Sequence, residues 1–153
     1  MSTARSQLNS TIGTQTAAIV AGGNTTPGST GYSASSEEYN GTSWTAGGSL
    51  AAGKNGAFGF GILTSGIVTG GEVSGGGKST TTEIYDGTTF ASYPATPATG
   101  RMSGTAAGSS SAGIIVSGSP SGTLTEEFSI SLTETTGAAW SSGGNSAEIS
   151  WGR

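Results

Sequence analysis

The sequence predicts an all-β chain built from three four-stranded antiparallel units, and three observations predict it. First, one segment recurs. Ala18-Ile19-Val20-Ala21-Gly22-Gly23 returns as Gly66-Ile67-Val68-Thr69-Gly70-Gly71 and as Gly113-Ile114-Ile115-Val116-Ser117-Gly118, with Val20, Val68 and Val116 each 48 residues apart. Second, Asn40-Gly41 and Asp86-Gly87 stand between apolar runs. Such dipeptides predict type I′ hairpins, in which both central residues take positive φ. Third, helical periodicity is missing throughout, because Gly, 29 of 153 residues, interrupts every candidate window.

The elements follow in order within each unit. The first strand comes after a basic residue, and Ala57-Phe58-Gly59-Phe60-Gly61-Ile62 alternates small and large apolar groups. The second is the Ile-Val segment above, whose β-branched run suits a strand buried on both faces. The third carries Glu-x-Tyr: Ser36-Glu37-Glu38-Tyr39, Thr82-Glu83-Ile84-Tyr85 and Thr125-Glu126-Glu127-Phe128. The fourth carries Trp44, Phe90 or Trp140. Arg5, Lys54, Arg101 and Arg153 mark the boundaries, and all but Arg5 follow a Gly. The units are therefore expected at 5–53, 54–100 and 101–152 of a single domain, 1–153. Repeats of this length cannot bury their apolar faces alone and must stack.

Composition excludes several chemistries. The chain has no Cys and no His, so disulfides and thiolate or imidazole metal sites are ruled out. Only 9% of residues are charged and the net charge is −4, which provides no basic surface for nucleic acid. No run of 18 apolar residues is present, so no helical membrane insertion is expected. No calcium-loop pattern occurs, and a Ser nucleophile has no His partner. Three Asn-x-Ser/Thr matches, at Asn9, Asn24 and Asn40, carry little weight in so Ser- and Thr-rich a chain.

The stretch Gly75-Gly76-Gly77-Lys78-Ser79-Thr80 looks like the end of a phosphate-binding loop. The motif needs a Gly six residues before the Lys, where Glu72 stands, and a helix after it, where Thr81-Thr82-Glu83-Ile84 reads as a strand. Residues 72–79 are expected to be the loop between second and third strands.

Repeated residues read as architecture. Glu37, Glu83 and Glu126 share one position, and Lys54, Arg101 and Arg153 follow at another. This predicts one ion pair per unit, linking the third strand to the start of the next unit. A carboxylate pair for glycoside hydrolysis is the rival reading, but catalytic groups usually occur once and scaffold groups repeat. Tyr39, Trp44, Tyr85, Phe90, Phe128 and Trp140 are expected to pack between neighbouring sheets. Tyr32, Tyr93 and Trp151 break the repeat. Tyr32, in a loop of variable length, and Lys78, at a loop tip, are the candidate ligand contacts.

Gly-Gly, then Tyr, then Trp in a unit of about 50 residues resembles the kelch repeat of β-propellers. Gly22-Gly23, Tyr39 and Trp44 carry the resemblance in the first unit, Gly70-Gly71, Tyr85 and Phe90 in the second, and Ser117-Gly118, Phe128 and Trp140 in the third. It covers almost the whole chain. The compact Glu-Glu-Tyr-Asn-Gly-Thr-Ser-Trp form is similar to kelch-like repeats of bacteriophage tail- and fibre-associated proteins. The resemblance implies a partial propeller and a non-enzymatic virion component of a tail, fibre or capsid decoration, located on the virion or at an extracellular surface. It would present loops to a host surface or to neighbouring virion proteins. A carbohydrate-binding propeller is the alternative, with a host surface glycan as partner. No cofactor is expected. Three units fall short of the four to eight of closed rings, so a homo-oligomer is expected, two copies giving six units, with Arg5 and Arg153 near the seam.

Overall fold

The computed structural model describes residues 1–26 and 31–130, together with the path of one strand at 139–142. Every regular element among the described residues is a β-strand. Strands β1 (Thr11–Thr14), β2 (Ala17–Ala21), β3 (Ser36–Tyr39) and β4 (Trp44–Ala46) form the first sheet. After the short β5 (Lys54–Asn55), strands β6 (Phe58–Ile62), β7 (Ser65–Thr69), β9 (Thr82–Tyr85) and β10 (Phe90–Tyr93) form the second. Between β7 and β9, β8 (Glu72–Val73) pairs with β5 in a two-stranded ribbon. Strands β11 (Thr105–Ser109), β12 (Ala112–Val116), β13 (Thr125–Ser129) and β14 (Ala139–Ser142) form the third. Each four-stranded sheet is an antiparallel meander, so its connections alternate between two ends.

Register fixes which residues share a face, because side chains alternate along each strand. In the second sheet, Gly59, Val68, Glu83 and Ser92 lie in one row, and Gly66, Tyr85 and Phe90 in another on the same side. We call this the front. Phe60, Ile67 and Ile84 occupy the back. The front of the second sheet meets the back of the first: Ile12 and Ile19 cluster with Val68 and Tyr85, joined by Leu50 and Ala57, and Phe90 packs against them. The back of the second sheet meets the front of the third, where Phe58, Phe60 and Ile67 cluster with Ile115 and Phe128. The rings of Phe60 and Phe128 lie 5.7 Å apart, and Tyr93 meets Phe128 edge-on at 6.0 Å. Tyr93, outside the sequence repeat, is thus a core residue of the second interface. The first strands β1, β6 and β11 lie side by side along the row of sheets.

Three expectations need correction. The 48-residue valine spacing ends one residue out of step. Val20 and Val68 face Glu37 and Glu83, but it is Ile115, not Val116, that faces Glu126. The turns at Asn40-Gly41 and Asp86-Gly87 are not type I′, since only the glycines have positive φ. They are four-residue loops between the paired ends Tyr39–Trp44 and Tyr85–Phe90. The Asn40 and Asp86 side chains each accept two backbone N–H groups two and three residues ahead, which closes the loop without a second left-handed residue. Finally, the second strand is buried on both faces in the first two sheets, but Ile114 of the third is half-exposed.

Candidate functional site

The connections at one end of the sheets, between second and third strands and between units, carry Arg5, Lys54, Glu72, Lys78 and Arg101. Their arrangement starts with the backbone. Gly22 and Gly23, and again Gly70 and Gly71, take positive φ. That bends the chain so that the Gly23 N–H donates to the Lys54 carbonyl at 2.7 Å and the Gly71 N–H to the Arg101 carbonyl at 2.8 Å. A Cβ at Gly22 would stand 2.5 Å from that Lys54 oxygen. The main chain of each basic residue is therefore clasped by the preceding unit.

Its side chain turns the other way. Lys54 Nζ is 2.9 Å from Glu83, and Arg101 Nη2 is 2.8 Å from Glu126. Arg5 Nη2 is 3.2 Å from Glu37. Each glutamate thus pairs with the basic residue of its own unit, not with the next one. The expected pairs Glu37–Lys54 and Glu83–Arg101 are corrected accordingly, and the pair expected at Arg153 lies outside the described residues. Lys54 and Arg101 thus bond to the earlier unit through the main chain and to their own unit's third strand through the side chain.

The second carboxylate oxygen is used identically each time. Glu37 accepts the Ser2 N–H, Glu83 the Ala51 N–H and Glu126 the Ala98 N–H, always three residues before the paired cation. Arg101 Nη1 also donates to the Ser117 and Leu124 carbonyls, and Arg5 Nη1 to those of Gly22 and Ser35. Burial pushes the Glu37 carboxyl up, but the Ser2 N–H and hydroxyl, the Thr3 N–H and Arg5 outweigh it and leave it below its ordinary value. These groups spend most of their hydrogen-bonding capacity inside the protein, although the buried Nε of Arg5 and of Arg101 has no partner.

Tyr32 and Lys78 behave differently. They hold the same position in successive loops, because Ser33 and Ser79, the residues after them, donate to Gly23 and Gly71 respectively. Both reach Glu72. The Tyr32 hydroxyl donates to Oε1 at 2.9 Å and Lys78 Nζ to Oε2 at 2.8 Å. Glu72 sits opposite Asn55 on the β5–β8 ribbon, so the cluster joins loops of two units. The Lys78 side chain is 28% exposed and that of Glu72 17%, against 1% for Lys54, so among the four described ion pairs this is the one open to solvent. Lys78, then the Tyr32 hydroxyl, hold the Glu72 carboxyl below its ordinary value, and Glu72 in turn raises Tyr32. That shift favours the ionised form, in which the carboxylate accepts from both Tyr32 and Lys78. A neighbouring hollow of about 280 Å³, lined in part by Lys54, Val73 and Thr81, is below the usual 300–1,000 Å³ of ligand pockets.

Sequence reasoning found Tyr32 and Lys78 but missed Glu72, their common partner. The available signal was Glu72 and Lys78 flanking Gly75-Gly76-Gly77, with a hairpin-forming run between opposite charges. It also left Arg5 out of the ion pairs. Tyr85 and Phe90, 4.6 Å apart, pack between neighbouring sheets, whereas Tyr39 and Trp44, 5.1 Å apart, stand half-exposed on the front of the first sheet and do not pack against a neighbouring sheet among the described residues. Phe128 lies opposite Trp140 in the third, whose side chain falls outside the described residues.

No family model matches the chain, and no curated protein matches it in sequence. Among solved structures it is similar to YjhT, with a TM-score of 0.67 at 14% identity over 84% of this chain. That likeness extends to the fold alone. The chain spans 43% of the length of that structure.

Proposed function

We propose that the chain is a non-enzymatic interaction module: an arc of three kelch-like propeller units that presents its loop end to a partner, as a component of a phage virion. The observation that carries this reading is the division of labour among the charges. The three buried pairs recur once per unit and are bonded within the protein, whereas the Tyr32–Glu72–Lys78 cluster occurs once among the described residues and lies at the loop end. A cluster with an ammonium, a phenol and an ionised carboxylate can exchange hydrogen bonds with a polar partner but has no group poised for proton transfer. The low charge and the Ser, Thr and Gly surface also suit packing in a large assembly, since these side chains lose little entropy on burial. Mass spectrometry of purified particles tests the virion assignment: the chain should be present at structural copy number, and its absence from particles would overturn the assignment.

A carbohydrate-binding role is the second reading, favoured by the same cluster, because vicinal sugar hydroxyls bridge a carboxylate and an ammonium readily. Glycan-array binding that Tyr32→Phe and Lys78→Ala each reduce at least tenfold would support it. Binding indifferent to both changes would remove this site.

A further inference from the structure

Two sheet faces have no neighbouring sheet among the described residues: the front of the first sheet, whose Val20–Glu37 row is buried with Ser2, Thr3 and Arg5 on Glu37 but whose Tyr39 and Trp44 are half-exposed, and the back of the third. They are the two halves of an interface the molecule already makes twice. In the first interface, the front aromatic pair Tyr85–Phe90 is laid on a back face carrying Ile19 and Glu38, and the Tyr85 hydroxyl donates to the Glu38 carboxylate. In the second, Phe128 is laid on Phe60, Ile67 and Ile84.

The back of the third sheet repeats that receiving surface. Register places Ile114 where Ile19 and Ile67 stand, and Glu127 where Glu38 stands, directly opposite Ile114 as Glu38 is opposite Ile19. Ile19 and Ile67 are fully buried, whereas Ile114 is half-exposed and Glu127 exposed. A shallow depression of about 390 Å³ opens there, lined by Ala107, Ala112, Ile114 and Glu127 among others. Where the second sheet fills the equivalent row with Phe60, the third has Ala107, which leaves room for a larger incoming ring.

The front of the first sheet repeats the inserting surface. Tyr39 and Trp44 are stacked like Tyr85 and Phe90, but Tyr39 stands half-exposed where Tyr85 is fully buried. Met1, four residues before Arg5, is 47% exposed, whereas Leu50, four residues before Lys54, is 4% exposed in the first interface.

We infer that the front of the first sheet docks on the back of the third sheet of a second copy, with Tyr39 and Trp44 over Ile114 and the Tyr39 hydroxyl on Glu127. The contact is head-to-tail, so two copies make two identical seams and a closed ring of six sheets. This rests on the propeller-arc reading above and names its partner. The particle and glycan experiments test the arc's biological role separately, so either reading can fail without the other.

Complementation tests it. Trp44→Arg spoils the inserting face and Ile114→Arg the receiving face, so neither variant forms a sound seam with itself. Mixed together they share one intact seam. Native mass spectrometry should show two-chain species for the unaltered protein, single chains for each variant alone, and recovery of a two-chain species in the equimolar mixture. That recovery also shows both variants folded. Two-chain species persisting in either variant, no recovery in a mixture of variants that retain the unaltered β-sheet circular dichroism, or assemblies of three or more chains would overturn the inference.

Discussion

Arg101 and Glu126 illustrate why so few charges matter so much here. Their side chains are 0% and 7% exposed and 2.8 Å apart. Removing one partner strands the other in a dry interior, which costs about 3–5 kcal/mol in comparable buried pairs. Glu126→Ala should therefore lower unfolding stability by about that amount in urea titration. Glu72→Ala, which breaks a partly exposed pair, should cost no more than about 1 kcal/mol. Equal losses would refute the distinction between structural and surface charges. Tyr85 gives a pH test. Burial, then the bond to Glu38, push its hydroxyl up to about 12 from the ordinary 10.0. Because the folded value is the raised one, this contribution is whole below pH 10 and disappears as pH climbs through about 12. Tyr85→Phe should flatten the stability loss between those limits. At the acid end the sign reverses: the Glu37 and Asp86 carboxyls are held below their ordinary values, Asp86 by the Thr89 and Thr88 N–H groups. Their contribution is present above the ordinary carboxylate range and is lost as pH falls through the lower folded values.

At the scale of elements, the turn after each second strand decides how units join. Ser117 takes φ 65° where the first two units have Gly22 and Gly70. A left-handed conformation costs a non-glycine residue about 1–2 kcal/mol. Ser117→Gly should thus stabilise the protein by up to about 1 kcal/mol, once the greater freedom of Gly in the unfolded chain is offset, and a chemical denaturation midpoint checks the sign. Gly22→Ala should destabilise by more than that, since its Cβ would collide with a backbone oxygen that cannot retreat. The elements themselves were legible in the sequence, because a period near 48 and Gly-punctuated β-branched runs are local signals. What escaped was everything set by register and clasp. One residue of slippage hid the equivalence of Ile115 with Val68. The Asn40 and Asp86 loops looked like two-residue turns because the side-chain acceptance that closes them leaves no trace in a dipeptide. The direction of the ion pairs, with the Lys54 side chain on its own unit's strand and its backbone on the earlier unit, is something no spacing reveals.

For the molecule as a whole, the same interface chemistry recurs: an aromatic-bearing front laid on an isoleucine-bearing back. Made twice among the described residues, it leaves there one surface of each kind without a neighbouring sheet. Of the Tyr32–Glu72–Lys78 cluster, the Glu72–Lys78 pair is local to one loop, whereas Tyr32 meets Glu72 only when two units stand side by side. The proposals above assign that cluster to an outside partner and the end faces to a second copy. The mass of the folded protein in solution decides between completion and an open arc. Size exclusion with light scattering, followed through a dilution series, should return twice the 14.8 kDa of one chain. A single-chain mass with intact β-sheet circular dichroism and a cooperative unfolding transition would contradict the account.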